Sequence, residues 1–323
     1  QKYSAGDASN DTKLDKLQGQ NWEKRKSRAK KSIKDIADKL LKIHAQRKIS
    51  TSHSCSTPGD LYFQFEADFP FSETKDQQTA ISEVMEDLSG KNPMNRLLCG
   101  DVGFGKTEVA LRASMRIVID GLQVMVLVPT TVLCYQHFRT FATRFEKFGI
   151  TVEQVNRFIA PKNIKKALER TQNGSIDILI GTHRILSKDV QFKKLGLIIV
   201  DEEQRFGVNH KETISQLSMG CNLLTLTATP IPRTFHMAML GLRDISLITT
   251  APSHRLPIKT YVSKLDLEVV KQAIQIETSR NGQVFFLHNR VENIHSIRRL
   301  LEELVPNHEA RVAHGQMKAQ DLE

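Results

Sequence analysis

The eight residues GDVGFGKT, Gly100 to Thr107, decide the fold. An apolar, strand-like run ends at Cys99 just before them, and a helix-like run, EVALRASMRIVI, begins at Glu108 just after. The pattern G-x-x-x-x-G-K-T uses Gly100, Gly103 and Gly105 to let backbone N–H groups approach phosphate oxygens with no side chain in the way. Lys106 then reaches the β- and γ-phosphates, and Thr107 ligates Mg²⁺. The following helix points its positive N-terminal end at the bound anion. The alternative is a glycine-rich turn carrying a solvated lysine.

A phosphate loop alone describes many NTPases, including kinases of small molecules, so a second acidic motif has to fix the class. LGLIIVDEEQ, Leu195 to Gln204, supplies it. An apolar strand delivers Asp201, placed to hold a Mg²⁺-bound water, and then Glu202, placed to polarise the attacking water as general base. Neighbouring acids at a strand end also arise for structural reasons; the phosphate loop upstream favours function here. TLTATPIPRT, Thr225 to Thr234, comes next. Thr227 and Thr229 flank Ala228 in a hydroxyl-bearing turn, where they are placed to bond Glu202 or Gln204 and sense a γ-phosphate. A capped helix start is the other reading of that turn.

From Arg96 onward short apolar runs alternate with segments long enough for helices. RLLCG, QVMVLV, TVEQV, IDILIG, LIIVDE and NLLTLT read as strands. Their near-continuous apolar character implies burial on both faces, hence an α/β fold with a mostly parallel sheet and helices on either side. A nucleotide then belongs at the carboxyl ends of the strands. Upstream, Phe63, Phe65, Phe69 and Phe71 supply apolar anchors around Pro70, and a helix pattern runs from Thr74 or Lys75 to about Leu88, with Thr74 as N-cap. Downstream, APSHRLP, Ala251 to Pro257, reads as an interdomain joint. A second alternating series then predicts strands at IKTYVS, GQVFFLHN and EARVAHG, with helices over Leu265 to Ser279 and Val291 to Leu304. That series opens a second domain without completing it.

The chain's 323 residues suffice for two domains, and 40% hydrophobic with 25% charged residues is an ordinary globular composition. No run of eighteen apolar residues exists, and the N-terminus, QKYSAGDASNDTK, has neither a signal peptide's apolar core nor an Arg-rich presequence pattern. No membrane partner is expected. The missing initial Met points to an excised or processed piece. Cys55, Cys99, Cys134 and Cys221 follow no metal-ligand spacing and suit a reducing compartment.

The formal net charge of +10 is unevenly placed: residues 21–48 hold eleven Lys and Arg against three acids, residues 1–20 are neutral, and the remaining 275 residues carry only +2. Residues 1–20 read as a flexible lead-in and residues 49–59, ISTSHSCSTPG, as a linker. Between them Trp22, Ala29, Ile33, Ile36, Leu40 and Ile43 recur at helical spacing, which predicts one long, basic amphipathic helix. Its charge suits a polyanion or an acidic protein face, or is simply a solvated surface.

Taken in order, these pieces resemble the superfamily 2 DEAD/DEAH-type translocases, and within them the branch of transcription-repair coupling factors and RecG-type branch-migration helicases. GDVGFGKTEVA, LVPTTVL, DILIGTH, LGLIIVDEEQRFGV and LTLTATPIPRT are similar to that branch's motifs in order and spacing, over roughly residues 60–315. The basic helix WEKRKSRAKKSIKDIADKLLKIHAQR resembles the one that joins the polymerase-interacting domain of coupling factors to the motor.

The resemblance implies a P-loop NTPase with a first RecA-like lobe over residues 60–250, a joint at 251–257 and a partial second lobe over 258–323. It implies ATP and Mg²⁺ as cofactors, double-stranded DNA as partner, RNA polymerase as a partner of the parent protein, and ATP-driven movement on DNA. Phe71, Thr74 and Gln77 match the adenine-reading motif. Gly100, Gly103, Gly105, Lys106 and Thr107 match the triphosphate loop, Thr107 and Asp201 the Mg²⁺ ligands, and Lys106, Asp201, Glu202 and Gln204 the hydrolytic set. Thr227 and Thr229 match the coupling motif. Pro129, Thr130 and Thr131, with Gly181, Thr182 and His183, match the motifs that touch DNA phosphates, where hydroxyls and amides position a backbone without reading bases.

Two departures accompany the match. Gln204 stands where many bacterial coupling factors carry His and looks more like the cyanobacterial and plastid members, so the bacterial cytoplasm and the chloroplast stroma or nucleoid both stay open. The chain also ends at HGQMKAQDLE, before the later motifs that supply an arginine finger, worth about 10³ to 10⁵ in rate where it has been measured. ATP binding with weak turnover is the expectation. A RecG-type helicase and a non-catalytic ATP- and nucleic-acid-binding module remain as alternatives.

Overall fold

The computed structural model describes Ser27 and residues 46, 47, 49–228, 243–253, 255, 258–306 and 308–317. Most of the expected basic helix, and Thr229 with the PIPRT that follows it, lie outside the described residues. The chain divides after Arg255 into two compact units.

Among the described residues of the first unit, helices α1 (Asp60–Ala67) and α2 (Lys75–Ser89) precede the sheet. Strands and helices then alternate: β1 (Asn95–Gly100), α3 (Lys106–Ile119), β2 (Gln123–Leu127), α4 (Thr131–Phe145), β3 (Val152–Val155), α5 (Pro161–Asn173), β4 (Ile178–Gly181), β5 (Leu195–Asp201), α6 (Val208–Leu217), β6 (Asn222–Thr227) and β7 (Asp244–Ile248). The seven strands form one sheet in the order β3-β4-β2-β5-β6-β1-β7, and every neighbouring pair is parallel.

The two-sided burial expected from the apolar runs is what the sheet displays. Val124 and Val126 of β2, with Leu197 and Ile199 of β5, enter one core with side chains of α2, α3 and α4. The alternate residues Met125, Leu127, Ile198 and Val200 enter a second core with Ala167 of α5 and Ile214 of α6. Strands covered on both faces have no solvent side, so every side chain along them must be apolar or paired.

Local rules set the helix ends. Thr74 caps α2 through a full capping box with Gln77. Pro161 starts α5, and Gly174 stops it in the left-handed region at φ +85°. The helix after the phosphate loop, α3, is buried continuously from Glu108 to Ile117. It therefore runs through the interior, and its charged members need internal partners.

Four findings differ from the sequence expectations. Of the four phenylalanine anchors, Phe65 is fully buried and stacks on Phe145 at 4.9 Å, whereas Phe63 and Phe71 are largely exposed. They belong to a short helix and the loop after it, in which only one face meets the core. Strand β7 has no counterpart in the sequence reading, because its alternating pattern buries only Ser246 and Ile248 at the sheet edge.

In the second unit the helices form as α7 (Leu267–Ser279) and α8 (Ile294–Leu304), but none of the three expected strands appears among the described residues. Val262, Phe285 and Leu287 are each 96% exposed. A strand is held by its neighbour's backbone, and among the described residues these segments have none. Arg47, a member of the basic stripe, is buried. It donates to the carbonyls of Met94 at 2.7 Å and Cys221 at 3.1 Å and to Ser218 Oγ. That guanidinium holds the chain against the starts of β1 and β6, and burial together with nearby Arg243 lowers its pKa to about 10.

All four cysteines are free and buried. Among the described residues no helix is long and apolar enough to cross a membrane.

Removing the buried Arg47 partner strands two carbonyls, so Arg47→Ala should destabilise the first unit by about 2–4 kcal/mol in urea unfolding. An unchanged midpoint would contradict the structural role. Asp76 supplies a pH test. Its Oδ2 accepts from Thr249 N, Thr249 Oγ1 and Thr250 N, all at 2.8 Å, and these bonds draw its carboxyl down to about 2. A depressed acid stabilises above its unfolded pKa of about 4 and loses that contribution as pH falls through the folded value. The difference in melting temperature between the native chain and Asp76→Asn should therefore shrink as pH drops from 5 towards 3.

Candidate nucleotide and nucleic-acid site

The parallel order brings the carboxyl ends of β1, β5 and β6 together, and the loops leaving them carry the predicted nucleotide residues. After β1 the chain turns through Gly103 at φ +81° and Gly105 at φ +83°, a region costly for any residue with a Cβ. A Cβ at 105 would also stand 2.3 Å from Gln77 Nε2. Close approach of that amide is the reason for glycine there: Gln77 Nε2 donates to Phe104 O at 2.9 Å.

Gln77 is shared between the loop and the cap of α2. Thr74 N donates to Gln77 Oε1 at 2.8 Å, and Gln77 N donates to Thr74 Oγ1 at 3.3 Å. The segment that carries Phe71, Thr74 and Gln77 is fixed from behind by Arg112, one turn and a half into α3. Its guanidinium, 1% exposed, pairs with Glu108 at 2.8 Å and with Glu66 and Glu73. Against the cost of burial, Glu108 and its neighbours hold the Arg112 pKa above its usual value. Glu73 thus ties the segment from Phe71 to Gln77 to the helix that follows the phosphate loop.

Lys106 Nζ donates to Gly100 O at 2.6 Å and Asp101 O at 3.0 Å, which folds the ammonium over the loop. Burial lowers its pKa, opposed by Asp201, Glu202 and Asp101. Asp201 ends β5, and its Oδ2 accepts from His137 Nε2 at 2.9 Å. Glu202 sits at φ 53°, ψ 50°, a left-handed conformation unusual for a non-glycine and of the kind that collects at functional sites.

Its carboxylate accepts from Gln204 Nε2 and, at 3.4 Å, from Ala228 N, while Thr227 Oγ1 donates to Gln204 Oε1 at 3.2 Å. The two motifs expected to meet are therefore joined, although Thr229 lies outside the described residues. Glu203 is spent elsewhere: it pairs with Arg243 at 2.8 Å, and burial notwithstanding, that cation lowers its pKa.

Thr107, half-buried in the first turn of α3, and Asp201 make a donor set of one hydroxyl and one carboxylate beside the loop. Mg²⁺ suits it, since that ion keeps several waters and phosphate oxygens and uses one or two protein carboxylates. Among the described residues no closed cage of His, Cys, Asp and Glu exists.

The predicted nucleic-acid residues gather at the other half of the same edge, where β2 and β4 pair with Leu127 opposite Gly181. Pro129 and Thr130 follow β2, and Thr130 Oγ1 caps α4 by accepting from Leu133 N at 3.2 Å. Gly181 is needed for packing, because a Cβ there would lie 2.8 Å from Val155 Cγ2. Thr182 is buried, and exposed His183 stacks on His210 with ring centroids 5.9 Å apart.

Sequence reading missed His137, Arg112 with Glu73, Arg243, and Arg255, which lies 4.8 Å over the Phe104 ring and 3.0 Å from Asp101 Oδ2. None carried a local signal, since their partners are distant in sequence. Arg255 was visible only as part of a joint.

A parallel α/β sheet with a phosphate loop after β1 and an Asp-Glu pair after β5 defines a RecA-like P-loop NTPase. Within that class the chain belongs to the DEAD/DEAH box helicase family, whose sequence profile matches residues 74–238; its members are ATP-dependent enzymes. The whole chain is 47% identical to the transcription-repair-coupling factors of Staphylococcus aureus (strain USA300) and Staphylococcus haemolyticus (strain JCSC1435), and spans 28% of the length of each. A structure of RecG bound to a three-way DNA junction is 33% identical with a TM-score of 0.68, over 82% of this chain and 36% of RecG.

Gly105→Ala combines a left-handed backbone cost of about 1–2 kcal/mol with displacement of Gln77. The variant should remain folded by circular dichroism and lose most of its nucleotide affinity. Native affinity in this variant would show that the loop geometry is not used.

Proposed function

We propose that this chain is the nucleotide-binding part of an ATP-driven double-stranded DNA translocase of the coupling-factor type, which in the parent protein displaces stalled RNA polymerase for repair. Residues 60–250 are the first RecA-like motor lobe, 251–257 the joint and 258–323 the opening of a second lobe. Residues 1–20, 21–48 and 49–59 are lead-in, basic connecting helix and linker. The observation that carries the reading is one strand edge with Lys106, Asp201, Glu202 and the Gln204–Thr227 pair at one half and the Pro129–Thr131 and Gly181–His183 segments at the other.

Phe71, Thr74 and Gln77 bind the adenine of ATP. The amides around Gly100, Gly103 and Gly105, with Lys106, bind the phosphates. Thr107 and Asp201 hold Mg²⁺, which when bound neutralises charge developing on the phosphates. Glu202 orients and polarises the attacking water, and its bonds with Gln204 and Ala228, with Thr227 on Gln204, connect that carboxylate to the coupling motif. Thr229 shares the task. Backbone and hydroxyl contacts from Pro129, Thr130, Thr131, Gly181, Thr182 and His183 grip duplex phosphates without reading bases.

Identity of 47% along the whole chain supports the coupling-factor assignment over a RecG-type helicase, for which the solved relative stands at 33%. The working compartment is one that holds DNA and its polymerase, either the bacterial cytoplasm or the chloroplast stroma and nucleoid. The Gln204 variant of the motif favours the plastid.

Equilibrium titration with Mg-ATP tests the site. Lys106→Ala removes a charge-assisted bond to phosphate and should weaken binding by about tenfold to a hundredfold with the fold retained. Unchanged affinity would overturn the assignment. Replacing Lys24, Arg25, Lys26, Arg28, Lys30, Lys31 and Lys34 with glutamine should weaken duplex binding and flatten its salt dependence by about 0.9 in slope for each phosphate no longer neutralised. An unaltered slope would direct that helix to protein instead.

A further inference from the structure

His137, which meets Asp201, lies outside every motif in the sequence. His137 is on the buried face of α4, 7% exposed, and its ring meets Phe141 edge-on with centroids 6.1 Å apart. Nε2 lies 2.9 Å from Asp201 Oδ2, and the Asp201 side chain is itself only 13% exposed. A carboxylate facing a ring nitrogen at that distance is an acceptor, so Nε2 carries the hydrogen whichever state the ring is in. The other nitrogen, Nδ1, is buried with no hydrogen-bond partner. A residue chosen only to fill this space would be apolar, since leaving a buried nitrogen unpaired is unfavourable.

The sheet explains how the two residues meet. β2 and β5 are neighbours, with Leu127 opposite Val200, so the helix that follows β2 passes over the end of β5 where Asp201 sits. That helix starts at Thr131, six residues before His137, which is about 9 Å along its axis at 1.5 Å per residue. Its N-cap is Thr130. One rigid element therefore presents the candidate DNA-phosphate contacts at its first turn and a hydrogen-bond donor to the candidate metal carboxylate less than two turns further on.

We infer that His137 is the positioning residue for Asp201, and that through it α4 couples duplex binding to the metal-nucleotide site. The inference rests on the proposed roles of Asp201 and of the first turn of α4. The Nε2–H fixes Oδ2 and leaves the other carboxylate oxygen for a cation-bound water. Seating of phosphates on Thr130 and Thr131 holds α4, and with it the orientation of that carboxylate. Outer partners of this kind usually change metal affinity by about 10- to 100-fold when removed.

The test uses the whole chain as native protein, His137→Leu and His137→Gln, with ATP affinity measured in excess Mg²⁺ and in EDTA, each with and without duplex DNA. In His137→Leu the metal-free affinity should stay within about twofold of native, while the gain conferred by Mg²⁺ falls by about tenfold. His137→Gln, whose amide N–H can take the place of Nε2–H, should recover most of that gain. Duplex DNA should raise Mg-ATP affinity in the native chain and have no such effect in His137→Leu.

An undiminished Mg²⁺ gain in His137→Leu, or a glutamine no better than leucine, would overturn the positioning role. Equal loss of metal-free and metal-dependent binding would mark a purely structural residue and also overturn it. DNA enhancement that persists in His137→Leu would remove the coupling. A native chain that binds ATP with no gain from Mg²⁺ would instead refute the role of Asp201 itself, a failure visible without any variant.

Discussion

In a sheet whose neighbours are all parallel, every strand ends on the same side, and the loops that leave that side must carry whatever chemistry the unit performs. The order β3-β4-β2-β5-β6-β1-β7 divides this edge in two. The ends of β1, β5 and β6 bring together Gly105, Lys106, Asp201, Glu202 and Thr227, and the ends of β2 and β4 bring together Pro129, Thr130, Thr131, Gly181 and Thr182. The central strands β2 and β5 are covered on both faces, so they cannot shift without disturbing two cores at once. A rigid edge of this kind suits a device that must hold a phosphate chain and a water in line.

Buried guanidinium groups fasten the loops to this platform. Arg112 ties α1, the segment before α2 and the phosphate-loop helix into one unit through Glu66, Glu73 and Glu108. Arg96 joins β1 to α2 through Asp87 at 2.6 Å and Glu83 at 3.0 Å, and donates to Ser246 of β7 at 3.0 Å. Arg243 fixes Glu203, and Arg47 binds the carbonyls at the strand starts. Arg112 and Arg96 have every guanidinium nitrogen on an acceptor, and Arg47 and Arg243 have two of three, which offsets the cost of burying the charge. The positive balance of the chain is thus partly internal scaffolding. A polyanion partner is proposed instead on the charges of residues 24–34.

The parts of the site that were legible in the sequence are those set by the backbone. Gly100, Gly103 and Gly105 announce a turn that lets the backbone approach an anion, Thr74 a helix N-cap, and Leu195 to Asp201 a buried strand ending in acid. In each case the cause lies within a few residues. The parts that were not legible join distant positions. Arg112 meets Glu66 and Glu73 across 46 and 39 residues, and His137 meets Asp201 across 64. No periodicity records such pairings. β7 escaped because an edge strand buries only alternate side chains, while IKTYVS and GQVFFLHN had the apolar content of strands but, among the described residues, no neighbouring backbone to bond. Apolar runs declare a tendency, and pairing decides the outcome.

The most direct measurement of the central claim, that this edge is an adenine-nucleotide site, is equilibrium binding of Mg-ATP compared with Mg-GTP to the native chain. Thr74 and Gln77 are locked to each other and to the phosphate loop, so a fixed base-reading surface is expected to distinguish the two purines. ATP should bind with GTP at least tenfold weaker. Equal affinity for both nucleotides, or none for either, would contradict the site.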